Sequence, residues 1–328
     1  MIICRTPFRV SFFGGGTDYP AWYRENGGAV LSTSIDKYCY ITCRKLPPFF
    51  EHKHRIAYSK VENVKHADEI EHPAVRAVIK EFDLDYGIEI HNDADLPARS
   101  GLGSSSSFSV GLINALTALQ GLRISKPDLN YEAIRIEQDV IGEDVGSQDQ
   151  TATCFGGFNI IEFKRNDEIT VSPVLANIER IKNLNSHLLL FFTGFSRIAA
   201  SIAKSQIANM SRKHAELTRM REMVDNALDL INATEWKPDR FGQLLHEGWK
   251  YKRGLSEKVS NDKIDKLYET AMEAGAFGGK VIGAGGGGFM LFCVPPERQE
   301  NVKHALSNLI HVPFDFDNTG SQIIYYQP

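Results

Sequence analysis

The chain has 328 residues, 42% hydrophobic and 24% charged, with a formal net charge of −4. That length exceeds what one ordinary core organises and predicts two domains of a globular protein. The slight acidic excess argues against a nucleic-acid partner, which calls for a basic face or stripe, and no stretch approaches the ~20 apolar residues of a membrane span.

Ile2–Phe13 is a β-rich run, and Ala29–Arg44, dense in Val, Ile, Thr and Tyr, is a second. Tyr86–Ala94 reads as a short strand with Ile88 and Ile90 on one face and Glu89 and His91 on the other. A Gly/Ser loop follows, then Phe108–Leu119, where Phe108, Leu112, Ile113, Leu116 and Leu119 recur at helical spacing. Asn130–Ile141 reads as another helix and Gly156–Lys164 as a strand after a Gly-Gly turn. Beyond it the character changes: Ser196–Ala233 is a long, charged, helix-forming region, and Trp236–Gly248 and Asp262–Ala274 add further helices. Lys280–Val294 is a Gly-rich turn entering an apolar strand, and Gln322–Tyr326 is a candidate closing strand. Polar residues and prolines cluster at 165–185, which places a domain boundary there and predicts domains of residues 1–175 and 176–328.

The five cysteines (Cys4, Cys39, Cys43, Cys154, Cys293) are odd in number and scattered. Cys39 and Cys43 have a C-x3-C spacing, but no second Cys/His pair completes a zinc site, and the spacing fits buried strand residues. A reducing cytoplasm is the expected compartment. The segment MIICRTPFRVSFFGGG lacks the apolar core and cleavage site of a signal peptide.

Three glycine-rich segments carry the chemistry. Gly101-Leu102-Gly103-Ser104-Ser105-Ser106-Ser107 joins a strand to a helix. Glycines let the backbone approach an anion, and helix N–H groups with the helix dipole favour negative charge there. The competing reading is a flexible linker or an ordinary serine cap. No G-x4-G-K-[ST] occurs, so this is not a Walker A loop. Gly283-Ala284-Gly285-Gly286-Gly287-Gly288 formally contains G-x-G-x-x-G, but the apolar run Phe289–Val294 follows it instead of a helix, so a dinucleotide fingerprint fails on context. It is either a tight turn or a second backbone cradle beside the ligand. Phe13-Gly14-Gly15-Gly16-Thr17-Asp18 places a carboxylate beside three glycines at a strand end. That carboxylate could bond sugar hydroxyls or cap the next turn. Glu137, Asp139, Glu143, Asp144 and Asp149, read alone, are equally a solvated acidic face.

Taken in order, these segments resemble the three motifs of the GHMP small-molecule kinases (galactokinase, homoserine, mevalonate and phosphomevalonate kinases) over essentially the full chain. Thr6-Pro7-Phe8-Arg9-Val10 through Thr17-Asp18-Tyr19 is similar to the first motif, Pro97–Ser107 to the second, P-x3-G-L-G-S-S, and Lys280–Gly288 to the third. FGGGTDYPAW in place of galactokinase's G-E-H-T-D-Y, and Gly146-Ser147-Gln148-Asp149-Gln150 leading into Phe155-Gly156-Gly157-Phe158-Asn159, resemble the heptose kinases of bacterial envelope-sugar pathways.

The resemblance implies a two-domain α+β architecture, an N-terminal ribosomal-protein-like βα domain followed by a ferredoxin-like α+β domain. It implies ATP and Mg²⁺ as cofactors, D-glycero-D-manno-heptose 7-phosphate as acceptor, its anomeric hydroxyl as the phosphorylated group, and a monomer or homodimer. Asp149 would be the base and Arg9 the cation beside it. Pro97, Ser100, Gly101, Leu102, Gly103, Ser104, Ser105, Ser106 and Ser107 would hold the ATP phosphates, and Ser105 and Glu137 the metal. Gly16, Thr17, Asp18, Asp149, Gly285 and Gly286 would face the sugar. A 7-phosphate needs cations, for which Arg197 and the cluster Lys250, Lys252 and Arg253 are candidates. Other acceptors (galactose, L-fucose, an isoprenoid alcohol) and a relative that binds ATP and sugar without turnover are the alternatives.

Overall fold

The computed structural model describes residues 1–98, 100–194 and 199–327, and its architecture is α+β. Seven strands come first: β1 (Ile2–Phe13), β2 (Gly28–Leu46), β3 (His54–Ala57), β4 (Val61–Val64), β5 (Gly87–Ala94), β6 (Phe158–Phe163) and β7 (Ile169–Pro173). Among them lie α1 (Pro20–Asn26), α2 (Pro73–Glu81), α3 (Ser104–Leu119), α4 (Lys126–Arg135) and α5 (Gln148–Phe155). The chain continues through α6 (Ile178–Ser186), β8 (Leu188–Phe192), α7 (Ala199–Asn209), α8 (His214–Asn232), α9 (Pro238–Gly254) and α10 (Asp262–Glu273). It ends with β9 (Gly278–Val281), β10 (Phe289–Cys293), α11 (Gln299–Ala305), β11 (Ile310–His311), β12 (Phe316–Asp317) and β13 (Gln322–Tyr326).

The larger sheet runs β13-β1-β2-β5-β3-β4, with β6 and β12 also on β2 and β7 on β6. Strand β2 serves two partners in succession: Gly28–Thr33 pairs with β6, and Cys39–Leu46 pairs with β5. Every pairing is antiparallel except β3 with β5. The smaller sheet is antiparallel, in the order β11-β8-β10-β9. Because β12 and β13 pair with β2 and β1, the end of the chain re-enters the first sheet and does not stay with the second.

Strands β1 and β13 have the bounds that their β-branched content predicts. Helix α3 starts at Ser104 rather than Phe108, because its apolar spacing begins only after the serines, which form the first turn. Within the helix-forming region 196–233, the described residues form two helices, α7 and α8, separated by a 3-10 turn, Met210–Arg212. Helix α8 buries its own stripe, Leu217, Met220, Val224, Ala227 and Ile231. Helix α2 escaped the sequence reading although Pro73 opens it and Ala74, Val75, Val78 and Ile79 form a buried face.

One main core spans both sheets. At the end of β1, Phe12 and Phe13 meet the fully buried Phe241 of α9 edge-on, with ring centroids 5.6 and 5.2 Å apart. Burying a ring such as Phe241 stabilises by roughly 2–3 kcal/mol. The contact clamps a helix of the second half onto the strand that leads into the first glycine segment. All five cysteines are free and buried, and burial pushes the Cys43 thiol up to about 12. Among the described residues no helix is long and apolar enough to cross a membrane.

Candidate active site

The second and third glycine segments are pressed main chain against main chain. A Cβ on Gly101 would meet the Ile282 carbonyl oxygen at 2.4 Å, and one on Gly283 would meet the Gly101 Cα at 2.5 Å. Both glycines also have left-handed φ, +88° and +77°. This contact brings the mouth of α3 to the β9–β10 turn. At the helix start, Ser107 Oγ donates to the Pro7 and Gly103 carbonyls at 2.9 and 3.0 Å, fixing the first turn on β1. Ser104 and Ser105 face a cavity of about 360 Å³, and the first backbone N–H groups of α3 have no partner within the helix. That is the geometry of an anion site.

Arg9 crosses from β1 to close the loop. It is 1% exposed, its backbone N–H donates to the Leu102 carbonyl at 3.0 Å, and its Nη1 donates to the Gly101 carbonyl at 2.7 Å. Its Nε and Nη2 both reach Asp149 Oδ1, at 2.8 and 2.6 Å, and Nη2 reaches Oδ2 at 2.7 Å. Asp149, in the first turn of α5, keeps 28% side-chain exposure to the cavity. A carboxylate oxygen carries two acceptor sites, so Oδ2 retains one for a ligand hydroxyl. The guanidinium thus bonds the loop and the carboxylate at once.

Asp18 is buried beneath the α5 turn. Its Oδ1 accepts from the Gly16 N–H at 2.8 Å, its Oδ2 from the Gln148 N–H at 3.4 Å, and its carbonyl from the Ser147 N–H at 2.9 Å. Gly146 is obligatory here, since a Cβ on it would lie 1.9 Å from Asp18 Oδ2. Burial drives the Asp18 carboxyl above its usual range, with the Asp149 charge adding to the effect and the Gly16 N–H opposing it. Thr17, by contrast, turns away from the cavity and donates to the Gly14 and Ala29 carbonyls at 2.8 and 3.1 Å.

Glu137 sits in a single π-helical turn, Ile136–Val140, that continues α4. It is 1% exposed and borders the cavity. Its Oε2 accepts from Ser106 Oγ at 2.9 Å and from Gln150 Nε2, while its Oε1 is buried without a hydrogen-bond partner. Burial pushes it up to about 7, against the opposing influence of the Ser109, Gln150 and Ser106 side chains. Ser106, not Ser105, makes the contact with Glu137; Ser105 faces the open cavity one residue earlier. Among the described residues no three His, Cys, Asp or Glu side chains cluster as a metal site.

The basic cluster of α9 is split by helical geometry. Lys252 points in, lines the cavity and donates to the Gly283 carbonyl; burial, with Arg9 nearby, lowers it to about 8. Arg253 points out and pairs with Asp265 at 2.9 Å, so the structure does not bring it to the site. Arg197 lies outside the described residues. Gly285 and Gly286 pack against Val259, whose carbonyl accepts the Gly286 N–H at 2.8 Å, and Gly283 and Ala284 line the cavity instead. Pro97 and Ser100 lie at the loop entrance, Pro97 beside a second, more apolar cavity and Ser100 buried under Gly288.

The sequence reading missed Lys280, whose buried Nζ donates to the Ser11 and Phe12 carbonyls at 2.9 and 2.8 Å while bordering the cavity. A lysine in the short strand Gly-Gly-Lys-Val, three residues before Gly283, is the signal that marks it.

Comparison with known proteins settles the family. The model of the GHMP kinase N-terminal domain matches residues 68–157, and that of the C-terminal domain matches residues 235–311. A D-glycero-alpha-D-manno-heptose 7-phosphate kinase from Campylobacter jejuni is 32% identical over 319 residues, which cover 92% of this chain and 92% of that protein. The chain belongs to the GHMP kinases. It is accordingly an ATP-dependent phosphotransferase with an alcohol acceptor. The crystal structure of a D-glycero-D-manno-heptose 1-phosphate kinase from Bacteroides thetaiotaomicron superposes on this kinase with a TM-score of 0.80 at 26% identity, covering 100% of both chains. Lactococcus lactis galactokinase, solved with galactose, shares the fold at a TM-score of 0.73 and 20% identity, over 98% of this chain and 94% of its own.

Proposed function

We propose that this kinase transfers the terminal phosphoryl group of ATP to the anomeric hydroxyl of D-glycero-D-manno-heptose 7-phosphate, giving the 1,7-bisphosphate and ADP. The carrying observation is the fork of Arg9 on Asp149 directly beside the start of α3, which sets a fixed carboxylate against an anion site. The triphosphate lies on the N–H groups of α3 with the hydroxyls of Ser104 and Ser105. The nucleoside end occupies the second cavity, about 740 Å³, where Leu96, Pro97, Phe192, Phe289 and Val312 offer an apolar slot.

Asp149 accepts the proton of the anomeric hydroxyl as that oxygen bonds to the terminal phosphorus, and the bond from that phosphorus to the bridging oxygen breaks to release ADP. Arg9 holds the carboxylate in place and offers positive charge to the transferring group. Asp18 takes a sugar hydroxyl. Lys252, buried beside the cavity, supplies a cation for the substrate's own phosphate, which an acceptor without phosphate does not require; Lys280 borders the same cavity, its ammonium held well below the usual lysine range by burial.

The residues present also fit Mg²⁺. The unpartnered buried Oε1 of Glu137 and the hydroxyl of Ser105 are hard oxygen donors, and this ion takes few protein ligands when phosphates complete its shell. Bound there, it would neutralise charge on the phosphate oxygens.

An ADP-release assay across heptose 7-phosphate, galactose, L-fucose and mevalonate tests the acceptor. Heptose 7-phosphate is expected to give the highest kcat/KM. Turnover of galactose, L-fucose or mevalonate with none of the phosphosugar would overturn the assignment.

A further inference from the structure

We propose that Ser11, Gly15 and Gln148 form a notch that receives the hydroxyl next to the reacting one, and so select a sugar ring over an isolated alcohol. The inference rests on the kinase reading of the site and deepens it.

Two residues that line the cavity each carry a buried polar atom with nothing to bond. Ser11, 5% exposed, has its Oγ buried without a partner, while Lys280 pins its carbonyl at 2.9 Å and so fixes the strand that carries it. Gln148 bonds Asp18 through its N–H and its side chain, yet its Oε1 is buried and unpartnered. Both residues line the same cavity as Asp149, the immediate neighbour of Gln148.

Gly15 lies between them. Unlike Gly14 and Gly16, it has no left-handed φ, so its backbone does not require glycine. A Cβ on it would stand 3.6 Å from Gln148 Nε2 and 3.8 Å from Ser11 Oγ, which is ordinary contact. Neither strain nor a clash accounts for the missing side chain. What glycine provides is open space in the cavity wall, flanked by the side-chain amide of Gln148 and by the Ser11 hydroxyl, which donates or accepts. One ligand hydroxyl fits both: it donates to Gln148 Oε1 and accepts from Ser11 Oγ. Because Gln148 adjoins the carboxylate that faces the reacting hydroxyl, the second hydroxyl belongs on the neighbouring carbon. An acceptor without it leaves both buried atoms unpaired, and a site built to bond a hydroxyl discriminates strongly against its absence.

The test compares the acceptor sugar with its analogue deoxygenated next to the reacting carbon. Wild type is expected to favour the sugar by about a hundredfold or more in kcat/KM, and the Ser11→Ala/Gln148→Leu double variant by less than about tenfold. Gly15→Ala, for which there is steric room, is expected to raise the acceptor KM about tenfold while affinity for a fluorescent ATP analogue stays within about twofold. Discrimination unchanged in the double variant, or an unchanged acceptor KM in Gly15→Ala, would overturn the notch and leave the kinase assignment standing. If wild type turns over galactose or L-fucose but no phosphosugar, the heptose assignment falls, and the same variants measured on that sugar decide the notch. Preference for mevalonate, which carries no hydroxyl on the carbon adjoining its primary alcohol, would overturn both.

Discussion

On the proposed nucleotide side, the cavity is main chain packed on main chain, Gly101 against Ile282 and Gly283 and Gly288 against Ser100, beside the start of α3. On the proposed acceptor side it is a set of ionisable side chains, Arg9, Asp18, Lys252 and Lys280 buried and Asp149 partly exposed, each held by hydrogen bonds. A wall made of backbone holds any triphosphate, since its N–H groups carry no information about what lies beyond the phosphates. A wall made of side chains can change its acceptor by single substitutions. One half of the site therefore tolerates almost no change, and the other is where selectivity is set.

The contrast breaks most visibly at its hinge. Arg9→Met removes the fork from Asp149 and is expected to lower kcat by about a hundredfold or more, with Arg9→Lys intermediate because it keeps the charge but loses the planar fork; steady-state kinetics on both variants checks the order. Gly283→Ala forces a Cβ into the Gly101 Cα and is expected to cost about 2–4 kcal/mol of stability. Thermal unfolding would show it as a Tm lowered by several degrees, together with weakened nucleotide binding. Gly15→Ala, on the acceptor side, is expected to leave Tm nearly unchanged, and an equal loss in the two variants would erase the distinction between the walls.

A subtler effect lies in pH. Lys252 is lowered to about 8, chiefly by burial, so it is charged below that value and neutral above it. In the free enzyme, kcat/KM for a phosphosugar should therefore decline above about pH 8. Lys252→Arg should move the decline to higher pH, and an unaltered profile would remove Lys252 from substrate binding. The smallest effect is expected from Arg253→Ala, which loses only an exposed pair with Asp265: acceptor KM within about twofold of wild type. A larger change would place Arg253 in the substrate's path after all.

The same contrast governs what could be read from the sequence. The backbone wall was legible, because glycine runs at a strand end and a helix start have a narrow set of physical uses, and Ser104–Ser107 adjoin a helix whose spacing is plain. Asp149 and Glu137 came from motif resemblance; in isolation they were indistinguishable from the acidic face around them. The inward turn of Lys252 against the outward turn of Arg253 depends on how α9 sits on the β9–β10 turn, and local pattern does not encode that. Ser11 and Gln148 carry no signal by themselves, since their importance is that burial leaves their oxygens unpaired. The re-entry of β12 and β13 into the first sheet was hidden for a related reason: strand propensity marked Gln322–Tyr326 as a strand, but partner choice between the two ends of the chain is decided by packing.

The most direct measurement is a pair of numbers from Asp149→Asn: kcat with heptose 7-phosphate, and affinity for a fluorescent ATP analogue. Asparagine keeps the shape but cannot take the proton. The account predicts kcat lowered by about a thousandfold, with nucleotide affinity within about twofold of wild type. A variant that turns over within tenfold of wild type would contradict it.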